Sequence, residues 1–231
     1  MKKFFVSALV VMVAAMTLSG SAFAFEGSGD AYVGVYSKYL WRGLDLSMDD
    51  DYVVQGGSDV SFGAFTVSWW ANANEDLDVN EVDLVLDYSF DASEMVSMSV
   101  GNILYVVPGA DDTNELYLTA SLNTILEPSF SIYYDYDSFA GDMYYTASVG
   151  HSIELSEMAS VSAGALISYY DADGYSELHN GDISVGLDVA LSDNLSLSAS
   201  GLYTMPITDD AEDFLGHDGE GTVGVSIALA F

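Results

Sequence analysis

Toward the C-terminus, Val223, Val225, Ile227, Leu229 and Phe231 alternate with Thr222, Gly224, Ser226, Ala228 and Ala230. A strict period of two puts oily side chains on one face of a strand and small or polar ones on the other. The pattern recurs upstream. Leu195, Leu197 and Ala199 alternate with serines, and Ile183, Val185, Leu187 and Val189 with Ser184, Gly186, Asp188 and Ala190. Val161–Ile167 and Leu116–Leu122 repeat it. Such runs predict twelve strands, near 30–43, 51–62, 65–72, 80–90, 95–106, 114–123, 129–136, 143–154, 159–169, 182–190, 194–205 and 221–231, the third of them short.

The predicted connections alternate in kind. Tight turns fall at Phe62–Phe65, Asp91–Glu94, Thr124–Glu127, Leu155–Met158 and Leu191–Asn194, whereas 44–51, 72–80, 107–114, 137–142, 170–182 and 206–221 are longer and acidic. Short turns at one end and long loops at the other are the pattern of a transmembrane antiparallel up-and-down β-barrel, with external loops and both termini on the periplasmic side. Aromatics agree in direction: Tyr39, Trp41, Tyr52, Trp69, Trp70, Tyr105, Tyr144, Tyr145, Tyr169 and Tyr203 flank the long loops, and Phe62, Phe65, Phe90, Phe130 and Phe231 the tight turns. Two girdles at the lipid headgroups are the expectation. A soluble exported β-sandwich also alternates, but its outer face carries Lys, Arg and Glu, where these strands have Ser, Gly, Ala and Thr.

The N-terminus fits export. Lys2 and Lys3 precede an apolar run from Phe4 to Leu18 and an Ala22-Phe23-Ala24 exit, so residues 1–24 read as a cleaved signal peptide and 25–231 as one barrel domain. The run is short for a membrane anchor, and no later stretch is apolar enough for a spanning helix. A closed barrel then remains as the way into a membrane, because it pairs every backbone group.

Charge changes the picture further. Of four basic residues against 36 acids, Lys2 and Lys3 lie in the leader, which leaves Lys38 and Arg42. So acidic a chain repels polyanions, and nucleic acid is excluded as a partner. Cysteine is absent, which excludes disulfides and thiolate metal sites.

The phase of the strands places Lys38 and Arg42 on the less oily face with Tyr32, Gly34 and Tyr36. Asp59, Glu81, Asp83, Asp87, Asp135 and Asp188 take the same inward phase as pore-lining carboxylates. Lipid exposure of such groups costs several kcal/mol, on the order of 2–4. Asp59, Glu81, Asp83 and Asp87 are the expected ion-pair partners of the two bases. Bulky Tyr32, Tyr36, Tyr117 and Tyr133 on that phase keep a plugged structural barrel open as an alternative. Phe231, a terminal aromatic on an alternating strand, reads as the signal for the barrel-assembly machinery.

Around the first hairpin stand Ser37-Lys38-Tyr39-Leu40-Trp41-Arg42-Gly43-Leu44-Asp45-Leu46-Ser47, then Val54-Gln55-Gly56-Gly57-Ser58-Asp59-Val60 and Val67-Ser68-Trp69-Trp70-Ala71-Asn72. These elements resemble the TorF-like family of porin-type outer-membrane proteins, over about 40 residues. The resemblance implies an outer-membrane barrel and a pore. The acidity departs from the family, so its solutes do not carry over.

The histidines raise the alternative of an outer-membrane barrel enzyme, since such barrels include lipases and proteases. His151 and Ser152 are neighbours in a strand and face opposite ways. His179 and His217-Asp218 fall in predicted loops, where an acid beside a His makes a base. With so many loop acids the adjacency has little specificity, and the sequence predicts no catalytic residue, cofactor or dedicated metal site. Asp171-Ala172-Asp173-Gly174 begins like a calcium loop but lacks the closing Glu. Loosely held divalent cations bridging to lipopolysaccharide remain an expectation for the loops. The predicted function is a passive channel for small cationic or neutral solutes.

Overall fold

The computed structural model describes residues 27–47 and 52–231, so the predicted signal peptide lies outside the described residues. A closed antiparallel barrel of twelve strands is formed by β1 (Ser28–Tyr36), β4 (Val53–Phe62), β5 (Phe65–Ala73), β6 (Val79–Ser93), β7 (Val96–Val106), β8 (Thr113–Leu122), β9 (Ser129–Asp135), β10 (Met143–Ser156), β11 (Ala159–Ala172), β12 (Tyr175–Ser192), β13 (Leu195–Pro206) and β14 (Glu220–Ala230). A separate ribbon pairs β2 (Leu40–Trp41) with β3 (Leu44–Asp45). Helix α1 (Asp209–Leu215) precedes the last strand.

Closure follows from β1 pairing on both sides. Asp30 lies opposite Asp59 of β4 and opposite Ala230 of β14. At the seam Gly29 and Phe231 exchange backbone hydrogen bonds of 2.9 and 2.8 Å, so the C-terminal residue is itself paired. No strand edge is left in the wall, the condition for crossing a bilayer with strands.

Alternation sets the two faces. Val33, Val35, Val185, Val223 and Val225 are exposed on the outside, while Gly34, Ser131 and Thr146 are inward and buried. Tyrosines fill part of the lumen by lying on cross-strand glycines: a side chain at Gly57 would collide with the Tyr32 hydroxyl, and one at Gly224 with the Tyr36 ring.

Four expectations are corrected. The first strand ends at Tyr36, not at 43, and residues 37–47 leave the wall as a ribbon folded across the lumen. Its tip is Arg42-Gly43, with φ of 51° and 85°, a left-handed pair that closes a two-residue hairpin. The 170–182 segment is strand rather than loop. β11 and β12 run on to a two-residue turn at Asp173–Gly174, and a register shift between Ile167 and Tyr169 breaks the alternation that marks strands in the sequence. The 206–221 segment contains α1, capped by Thr208, whose hydroxyl accepts from Ala211 N, and ended by Gly216 at φ 77°. The third wall strand, β5, is nine residues long and not short.

Aromatics divide differently from the expectation. Phe65, Phe90, Phe130 and Phe231 are exposed outside at the tight-turn end, as a girdle requires. At the loop end Tyr169 and Tyr203 are exposed outside, and Tyr145 pairs with Tyr169 at 6.1 Å. Tyr39, Trp41, Trp70, Tyr105 and Tyr144 instead turn inward around the ribbon.

Candidate pore constriction

The ribbon of residues 37–47 is the feature that most changes the lumen. Its base is tied to β14: Lys38 N donates to Thr222 Oγ1 at 3.1 Å, and that hydroxyl donates to Lys38 O at 2.9 Å. Across the base, Leu46 N donates to Tyr39 O at 2.8 Å, and Tyr39 N to Ser47 Oγ at 2.8 Å. The Lys38 ammonium bridges Asp45 at 2.8 Å and Glu220 at 3.1 Å. Hydrogen bonding to Asp45 raises the lysine above its ordinary value. Burial pushes the Asp45 carboxyl up, but hydrogen bonds from Lys38 and Ser47 outweigh it and hold the group below its usual range.

Arg42 reaches the far wall from the tip. Its guanidinium makes a two-pronged ion pair with Glu115 of β8, at 2.8 and 2.6 Å. Tyr105 donates to the same carboxylate at 2.9 Å. Three rings surround the cation, with Cζ 4.4 Å from Trp41, 4.9 Å from Tyr133 and 4.4 Å from Tyr144. The side chains are 13% and 8% exposed, so this is a desolvated pair in an aromatic cage, not a solvated surface bridge.

Two histidines hold the tip backbone. His179 Nε2 lies 3.2 Å from Arg42 O and His217 Nε2 lies 2.8 Å from Gly43 O. A carbonyl only accepts, so each ring donates through Nε2–H. For neutral His179 this leaves Nδ1 to accept from the Tyr175 hydroxyl, 2.8 Å away. Leu215 of α1 sits over Gly43, where a Cβ would stand 3.0 Å from its methyls. Tyr39 packs on Trp70 at 5.2 Å and lines the same cavity as Glu81 of β6. The ribbon thus engages β5, β6, β8, β9, β10, β12 and β14, around most of the circumference.

All six predicted carboxylates take inward registers. Ser68 of β5 and Asp30 of β1 flank Asp59 in the sheet. Glu81 is 9% exposed under Tyr39. Asp83 lies beside Trp70 and Tyr105 in register, and its Oδ1 is buried without a hydrogen-bond partner. Asp87 accepts from Ser89, Ser99 and Tyr117, and Asp188 from Ser198. Asp135 departs from its assigned role. At 3% exposure it accepts from Thr113 at 2.6 Å and from the backbone of Asp137 and Phe139, so it shapes the 136–142 loop and does not face an open pore.

The expected ion-pair partners are also corrected, since Arg42 pairs with Glu115 and Lys38 with Asp45 and Glu220. Lys38 and Arg42 do lie in the lumen, carried by the ribbon and not by a wall strand. Glu115 was within reach of the sequence pattern: it continues the Tyr117 and Thr119 phase by one step.

The histidine hypothesis meets different surroundings from those expected. His179 is a strand residue, 1% exposed, with its two ring nitrogens on Tyr175 and Arg42 O. His217 Nδ1 is buried with no partner, and His151 is exposed on β10. Asp171 accepts from Ser176 across the β11–β12 hairpin. Among the described residues no group of three His, Asp or Glu side chains is placed to hold a metal ion.

Between the ribbon and the wall near the loop end lies a cavity of about 530 Å³. Trp41, Leu44, Tyr105, Phe139 and Tyr170 supply much of its lining.

A wall of twelve strands around a lumen crossed by an inserted ribbon defines the architecture as a small closed antiparallel β-barrel. Among solved structures, the chain is similar to the NanC porin (TM-score 0.60, 9% identity, covering 87% of this chain and 98% of that one). It is also similar to the KdgM porin (0.58, 12%, 88% and 99%) and to the KdgM porin in complex with disordered oligogalacturonate (0.57, 11%, 88% and 99%). No family model matches the chain, and no curated protein matches it. At these identities the likeness is one of fold.

Proposed function

We propose that this chain is a porin-like channel of the bacterial outer membrane, exported by its N-terminal leader, through which small cationic or neutral solutes diffuse without catalysis or cofactor. Its partners are then outer-membrane lipid and lipopolysaccharide, the barrel-assembly machinery and the solutes. Membership of the TorF-like family is part of the reading, supported by the residues around the ribbon and β4. The observation that carries the proposal is the charge of the lumen. Asp59, Asp83, Asp87 and Asp188 face inward, and both basic residues are already paired with other acids.

Unscreened carboxylates between low-dielectric walls attract cations and repel anions. Reversal potential in a KCl gradient across a planar bilayer tests this. Cation selectivity is expected, drifting toward neutrality in Asp83→Asn with Asp87→Asn. It should weaken with salt, as the Debye length falls from about 10 Å at 0.1 M to about 3 Å at 1 M. Anion selectivity would overturn the charge assignment. Silence in the bilayer would favour the second reading, a barrel plugged by its own ribbon, which the cage around Arg42 supports.

A further inference from the structure

The cavity of about 530 Å³ beside the ribbon has the size of a small-molecule site and an unusual lining for a polar channel mouth. Trp41, Tyr105, Tyr144, Tyr170, Phe139 and Leu44 present aromatic and aliphatic surface to it. Its charged groups are lopsided. Arg42 is the one cation among the lining residues, and it is committed to Glu115 through both prongs. Against it stand Glu81, Asp111, Asp135 and Asp142. Asp142 accepts a single side-chain bond, from Tyr170 at 2.9 Å, and Asp111 is exposed on its loop.

Flat π faces beside carboxylates favour a body that is apolar and a charge that is positive. Trp41 and Tyr144 already face Arg42, but the rings of Tyr170 and Phe139 add their negative faces to the field of the acids, while an anion meets both with the wrong sign. We infer that this cavity is a binding site for an organic cation with an aromatic or apolar body, held at the mouth of the barrel before it passes the ribbon. Only the onward passage rests on the channel reading; the binding stands on the cavity itself.

The experiment uses the full barrel folded in a nonionic detergent, with empty micelles as blank. Fluorescence anisotropy compares three probes of one ring shape: cationic 9-aminoacridine, acridine held uncharged, and anthracene-9-carboxylate. Saturable binding in the order cation, neutral, anion is expected. Asp111→Asn with Asp142→Asn should weaken the cation about tenfold and leave the neutral probe unchanged, since the two changes remove negative charge and no ring surface. Heat-modifiable migration in gels checks that the variant is folded. If it is not, the wild-type probe series decides, since equal affinity for cation and anion, or binding no stronger than to empty micelles, overturns the proposal. Because binding is read without a bilayer, its failure is distinct from a failure to conduct.

Discussion

Replacing Arg42 by Ala should release the tip of the ribbon. The substitution removes a two-pronged ion pair of 2.8 and 2.6 Å and a guanidinium ringed by Trp41, Tyr133 and Tyr144. Removing one partner of a buried pair costs about 3 to 5 kcal/mol, because the other charge is left without compensation. Here Glu115 keeps only the Tyr105 hydroxyl on its side chain. That cost shifts the balance between seated and released tip by roughly two to three and a half decades. A tip released about 0.1% of the time becomes released in about a tenth of molecules or more. The base is still tied through Lys38 and Thr222, so the tip frays while the ribbon stays attached. Single-channel recording in planar bilayers reads the outcome as larger or longer open events, and limited proteolysis as new cleavage within 40–46. Arg42→Lys, which keeps the charge and loses the fork, should fall between. A folded Arg42→Ala barrel with wild-type conductance and wild-type protease resistance would show that the cage does not hold the ribbon.

Three other outcomes are expected. Deleting Phe231 removes the Gly29 seam bonds and an exposed terminal aromatic, and should lower heat-modifiable barrel in the outer membrane several-fold; unchanged insertion at native expression would count against an assembly role. An epitope inserted after Asp173, at the turn of the β11–β12 hairpin, should be labelled on intact cells, whereas labelling only after permeabilisation would invert the topology. The Lys38–Asp45 tie should be insensitive to mild acid. A carboxyl lowered on folding contributes stability above its unfolded value, about 3.9, and loses it as pH falls through the lowered one. The difference in protease sensitivity between wild type and Asp45→Asn should therefore persist from pH 7 to about 4 and vanish below. Its disappearance near pH 6 would refute the pairing.

The wall was legible because an apolar outer face and a polar inner face impose a period of two for as long as the strand stays in register. Positions such as Val223 and Gly224, or Val185 and Ser184, report their face directly. Legibility failed where that contrast ends. Beyond Tyr36 the chain is surrounded by protein on both faces, and Tyr39, Leu40 and Trp41 run on without a polar break, so a ribbon buried in the lumen looks like more wall. Arg-Gly at its tip is also a poor advertisement for a hairpin, since the left-handed first position usually carries Asn, Asp or Gly. At Ile167–Tyr169 the register shift reverses the phase, and a continuous strand reads as a loop. The candidate site was legible by charge and phase but not by partner: six carboxylates fell on inward registers, yet which acid meets Arg42 depends on how far the ribbon crosses the lumen, a distance that periodicity does not encode.

The charge distribution itself accounts for the ribbon's position. Beyond residue 3 the chain has two basic residues, Lys38 and Arg42, and both lie on the ribbon, whereas the inward face of the wall bears Asp59, Asp83, Asp87, Glu115 and Asp188. Lys38 and Arg42 are thus the groups of this segment that the negative lumen attracts. Contacts fix the depth: Lys38 is held at the β14 side by Glu220, and Arg42 spans to β8, where Glu115 and two wall rings, Tyr133 and Tyr144, receive it. Neutralising the two bases on the ribbon also leaves the remaining carboxylates uncompensated, so the element that narrows the lumen does not cancel its sign. On the channel proposal, a permeating cation would meet the same carboxylate field that faces Arg42. On that proposal, occlusion and cation preference are two consequences of one arrangement of charge.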